Sequence, residues 1–76
     1  MMVNVSSKFG TLAVDVNSND SVFFLKERIN LVLQIPSEYQ QLYFEGRLLS
    51  YNSSPLDDYN IEEDDTVTLV DTRDSV

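Results

Sequence analysis

Seventy-six residues make one domain, and a chain this short removes only about 60% of its unfolded surface from water, so its core has to be compact. Thirteen acids against five bases leave a formal charge of −8, which argues against nucleic acid and anionic membrane surfaces as partners. Cysteine and histidine are both absent, which rules out disulfides, thiolate metal sites and the commonest general base.

The opening MMVNVSSKFG has neither a basic start nor a long apolar run and does not read as a secretory signal. No apolar stretch approaches the ~20 residues that a membrane span requires. Lack of cysteine fits a reducing compartment, hence a cytoplasmic or nuclear protein. Val3 and Val5 alternate with Asn4 and Ser6 as a strand. Ser7-Lys8-Phe9-Gly10 reads as a turn, and Leu12, Val14 and Val16 alternate with Ala13 and Asp15 as the returning strand. Asn17 to Asp20 are turn formers, and Ser21 is placed to cap a helix.

The spacing predicts that helix from Val22 to about Leu33, with Val22, Leu25, Ile29 and Val32 as its core stripe. Phe24 and Leu31 fall nearly opposite that stripe, with Phe23 at their flank. Either these three residues form a second contact face, or the helix is rotated and one phenylalanine reaches the core edge. Pro36 ends the helical run, and Ser37 to Gln40 connect onward. Gln41–Phe44 and Arg47–Leu49 read as a hairpin turning at Gly46. Ser50 to Pro55 is loop. Leu56-Asp57-Asp58 read as one helical turn, capped by Ser54 or started by Pro55, before a last strand over Thr66–Val70. The order β-β-α-β-β-β, with one helix among strands, is an α+β arrangement.

Alternation also sorts the strand faces. Leu42 and Phe44 point one way and Tyr43 the other; Val67 and Leu69 point one way, Thr66, Thr68 and Val70 the other. If the two strands pair with Leu42 and Leu69 buried, Tyr43, Thr68 and Val70 share a wet face, and an aromatic and a valine exposed together suggest a docking surface.

The run Leu42-Tyr43-Phe44-Glu45-Gly46-Arg47-x-Leu49, followed by Leu56-x-Asp58-Tyr59-Asn60-Ile61, resembles ubiquitin. Asp20-Ser21-Val22 before the helix and Ile35-Pro36 after it match in order and approximate spacing. The resemblance covers essentially residues 1–76, as a single ubiquitin-like domain. It implies a β-grasp fold, a mixed sheet wrapped on one helix with the first and last strands parallel at its centre. It also implies that the Tyr59 hydroxyl pins the loop around Ser50–Asn52.

For the surface, the resemblance implies a small apolar patch with a rim. Tyr43 falls on the family's isoleucine position and Val70 on its valine position. Lys8 or Phe9 replaces a leucine of the first turn. Gly46, Arg47, Gln41 and Thr68 fall on rim positions, with Arg47 placed to pair with partner acids. The implied role is a non-covalent interaction domain, monomeric and part of a larger protein. Its partners would be ubiquitin-interacting helices, ubiquitin-associated domains or proteasome receptors in the ubiquitin–proteasome pathway. No cofactor is implied. The alternatives are a scaffold subunit using Phe23, Phe24 and Leu31, a bare surface tyrosine at position 43 favoured by strand propensity alone, or a modifier whose processed end lies beyond Val76.

The closing residues Val70-Asp71-Thr72-Arg73-Asp74-Ser75-Val76 lack the Gly-Gly that such modifiers need to thread a narrow active site, so conjugation through this end is not expected. Asp-Ser-Val at the terminus reads weakly as a carboxylate-capture ligand. Lys8 and Lys26 are the only lysines, and chain building on them has few acceptors. Asp57, Asp58, Glu62, Glu63, Asp64 and Asp65 crowd the stretch before the last strand; they either keep the domain soluble or steer it toward a basic partner. Their spacing lacks a calcium-loop pattern, and no nucleophile has a base beside it, so catalysis is not expected.

Overall fold

Valines alternating with small polar residues build the first hairpin. In the computed structural model, which describes residues 1–74, β1 (Met2–Ser7) and β2 (Gly10–Asp15) run antiparallel, with Val3 opposite Val14 and Val5 opposite Leu12. Lys8 and Phe9 make the turn, and Gly10 follows at φ +104°, a backbone region that side chains disfavour.

Ser21 starts the helix as its position suggests: its Oγ accepts the Phe24 N–H at 3.0 Å. α1 (Val22–Leu33) ends where Gln34 turns left-handed, at φ 57°, and donates its N–H to the Asn30 carbonyl. Val22, Leu25 and Ile29 are buried, but the fourth member of the expected stripe is not. Val32 is 58% exposed, and Leu33 packs on the core instead. At 3.6 residues per turn, Leu33 returns to within about 20° of Val22, whereas Val32 stays about 80° away.

β3 (Gln40–Phe44) and β4 (Arg47–Leu48) form the second hairpin, and β5 (Thr66–Asp71) closes the sheet in the order β2-β1-β5-β3-β4. β1 and β5 pair in parallel, with Val5 beside Val67, so the chain's two ends meet at the centre. The hairpin turn is Glu45–Gly46, both at positive φ, the pairing that two-residue hairpins favour. β3 begins one residue earlier than the alternation suggests, β4 ends one residue sooner and β5 ends one later. The helix covers one sheet face. Val3, Val5, Leu42 and Val67 from the strands meet Leu25 and Ile29 there, all almost wholly removed from water.

The long excursion between β4 and β5 serves the helix start. The first helical N–H groups lack partners within α1. Val22 donates to the Ser54 carbonyl and Phe23 to the Asn52 carbonyl. Lys26, buried on the same side, donates from Nζ to Asn52 Oδ1 at 2.8 Å, and burial lowers its pKa from the ordinary lysine value. Pro55, not a Ser54 side chain, precedes the 3₁₀ turn Leu56–Tyr59. The Tyr59 hydroxyl accepts the Tyr51 N–H at 3.3 Å, the loop pin that the resemblance implies. Gln40, buried, ties the helix to the segment after it, its amide nitrogen donating to the carbonyls of Lys26 and Ile35.

Beyond β5 the chain makes a 3₁₀ turn over Thr72–Asp74. Arg73 donates two side-chain bonds to the Asp71 carboxylate and lies over the Tyr39 ring at 4.9 Å, while Lys8 pairs with Asp74 at 2.7 Å. Ser75 and Val76 are outside the described residues, and so is most of the suggested carboxylate-capture end.

Candidate functional site

The outer sheet face is built by pairing. Residues directly opposite in neighbouring strands project to the same side. Tyr43 lies opposite Thr68, and Gln41 opposite Val70. Ser6 lies beside Thr68 from β1, and Leu48 opposite Tyr43 from β4. The row Ser6–Thr68–Tyr43–Leu48 therefore crosses four strands on the side away from the helix, with Gln41 and Val70 forming the next row. Leu42, Phe44, Val67 and Leu69 are buried beneath it.

Apolar surface is concentrated here. Val70 is 39% exposed and Leu48 38%; Tyr43 is half-buried, its hydroxyl donating to Gln41 Oε1 at 3.3 Å. Lys8 and the exposed Phe9 stand at the Val70 end. Together with Ser7, Ile35 and Asp71 they line a groove of about 310 Å³ there. Both turn residues thus reach the place where one leucine substitute was expected.

Leu48 is the residue that the sequence reading missed. The signal was available: a two-residue loop at Glu45–Gly46 forces Tyr43 and Leu48 into register. The same register moves Arg47. It lies opposite Phe44, so it projects to the other side of the ribbon, where its guanidinium sits over the Tyr59 ring at 4.8 Å. Arg47 and Gly46 border the face without contributing side-chain area to it.

The positive groups at the Val70 end of this face are held within the domain. Lys8 is paired with Asp74. Arg73 is paired with Asp71, whose carboxyl these hydrogen bonds hold below the usual carboxylate range. What the face offers is an apolar strip with hydroxyl and amide edges, which can bury another apolar surface.

A second apolar surface lies on the back of the helix. Phe24 is 42% and Leu31 75% exposed, with Phe23 and Val32 also open to solvent. The helix is not rotated to bring either phenylalanine into the core. No helix is long and apolar enough to cross a membrane among the described residues.

Compared with known protein families, residues 3–74 match the Ubiquitin family. With five strands in the order described, one packed helix and that match over nearly its whole length, the chain belongs to the ubiquitin family.

Proposed function

We propose that this domain works by non-covalent docking of protein partners on the outer sheet face, as one module of a larger protein. One observation carries the reading: Tyr43, Leu48 and Val70 emerge together on the wet side of a sheet whose other side is fully used by the core. The family suggests partners of the ubiquitin-receptor kind, namely ubiquitin-interacting helices, ubiquitin-associated domains or proteasome receptors. Gln41 and Thr68 would supply polar contacts at the edge of the apolar strip. A face of this size supports weak, reversible association.

The exposed Phe23, Phe24 and Leu31 favour a second reading, a scaffold that docks through the helix back. An amide-shift titration with a ubiquitin-interacting helix separates the two. Movement at Tyr43, Leu48 and Val70 supports the sheet face. Silence there with movement at Phe24 and Leu31 supports the helix. A modifier with its processed end beyond Val76 is the third reading, and the full reading frame decides it.

A further inference from the structure

The outer sheet face is electrically lopsided, and the main chain at its centre is closed. β5 runs from Thr66 through Thr68 to Val70 along this face, and Tyr43 sits beside Thr68. The Val70 end carries Phe9 and two neutralised pairs, Lys8 with Asp74 and Arg73 with Asp71. The Thr66 end is different. Asn4 pairs with Thr66 on the outer face, and its side-chain amide donates to the Asp64 carbonyl at 3.0 Å, which puts the Glu62–Asp65 turn at that rim. Glu45, in the turn just past Tyr43, lies at the same end because β3 and β5 run antiparallel. Glu45, Glu62, Glu63 and Asp64 are exposed. No cation answers them among the described residues on this face: Arg47 is turned to the reverse side and Lys26 is buried.

In the middle of the strip no hydrogen-bonding edge is free. Thr68 is paired with Ser6 and Tyr43, and Tyr43 with Thr68 and Leu48. A partner cannot add a strand there; it has to bring side chains on a backbone whose own groups are satisfied, which describes a helix. From Val70 to Thr66 the strip measures about 13 Å at ~3.3 Å per strand residue, or about two helical turns. A second copy of this domain would bring its own charge of −8 against the same acids, which disfavours self-pairing.

Resting on the docking reading above, we infer that the face selects a basic amphipathic helix of a partner protein, its apolar anchors over Tyr43, Leu48 and Val70 and its lysines or arginines one to two turns away, over Glu45 and the Glu62–Asp65 turn. The acids steer and orient this partner, while apolar burial holds it. Acidic helices with the same apolar register are repelled.

The test uses two alanine-based helical peptides with identical leucine anchors, one carrying lysines and the other glutamates one to two turns beyond, titrated into the isotope-labelled domain. The lysine peptide should shift the amides of Tyr43, Leu48 and Val70 and bind about tenfold or more tightly than its glutamate twin at low salt. That advantage should shrink as salt is raised, because exposed charges are screened beyond roughly 10 Å at 0.1 M. The double variant Glu45→Lys, Glu62→Lys should weaken the lysine peptide and strengthen the glutamate one. Equal or tighter binding of the glutamate peptide, or an unchanged preference in that variant, overturns the charge selection while leaving the docking face intact. If neither peptide moves those three amides, the docking reading falls and takes the selection with it. Shifts at the same amides on concentrating the domain alone would make a second copy the occupant and overturn the proposal.

Discussion

Two apolar surfaces look outward from opposite sides of this domain, and they arise differently. The sheet face is a by-product of pleating: once Leu42, Val67 and Leu69 are committed to the core, Tyr43, Thr68 and Val70 must emerge together. The helix back emerges by the helical period, opposite the buried stripe. Nothing in the core requires Phe24 and Leu31 to be apolar, since Val22, Leu25 and Ile29 already fill the buried stripe. Geometry fixes which positions face water on either surface but not that they are apolar, so an apolar side chain at such a position needs a reason in both places. By this measure the helix back needs a specific explanation as much as the sheet face does.

The contrast can be tested by substitution, beginning with the helix itself. Leu25→Ala leaves a cavity in the core and should cost about 2–5 kcal/mol in chemical denaturation, whereas Phe24→Ser should stay within about 1 kcal/mol. A comparable loss at both positions would show that Phe24 belongs to the core and would erase the second surface. Tyr59→Phe removes the hydroxyl acceptor of the Tyr51 N–H and should cost about 1 kcal/mol. The accompanying amide shifts should centre on Tyr51 and leave Tyr43 and Val70 unmoved, which checks that the loop pin and the docking face are separate. Val70→Ser should change stability by about 0.5 kcal/mol or less yet weaken any helix that docks on the sheet face; unchanged docking would favour the helix back as the working surface.

A smaller effect comes from pH. Burial lowers the Lys26 pKa, so the folded state gives up this proton more readily than the unfolded chain. Between the lowered folded value and the ordinary value of 10.5, the unfolded chain binds more protons, and stability contributed by Lys26 rises with pH. Lys26→Met should flatten that alkaline rise in a denaturation series. The Asp71–Arg73 pair works in the opposite range. Because Asp71 titrates below its ordinary 3.8, its contribution is present above that value and is lost as pH falls through the lowered one.

Much of this was legible in the residues. The helix limits followed from Ser21, the apolar period and Pro36, all local signals that the structure repeats. Tyr59 and the parallel central strands followed from the family resemblance, because non-local pairing leaves little trace in periodicity. The failures share one cause, the accumulation of small geometric steps. Over ten residues from Val22, the helical period carries Val32 off the stripe and leaves Leu33 to replace it. A two-residue turn decides whether Arg47 or Leu48 shares a face with Tyr43, and a strand shifted by one residue exchanges its sides. The 3₁₀ turn at Thr72–Asp74 joins a local Asp71–Arg73 pair to contacts with Tyr39 and Lys8, far away in the chain, which no local pattern announced.

The enclosure of Lys26 leaves the domain with a single outward lysine amine. Amine-directed reagents at low excess should therefore label Lys8 before Lys26, and Lys8 stands beside Phe9 and Val70. A fluorophore attached there would sit at the edge of the docking strip and report occupancy directly. Coupling the domain to a sensor chip through the same amine would hide the strip against the support.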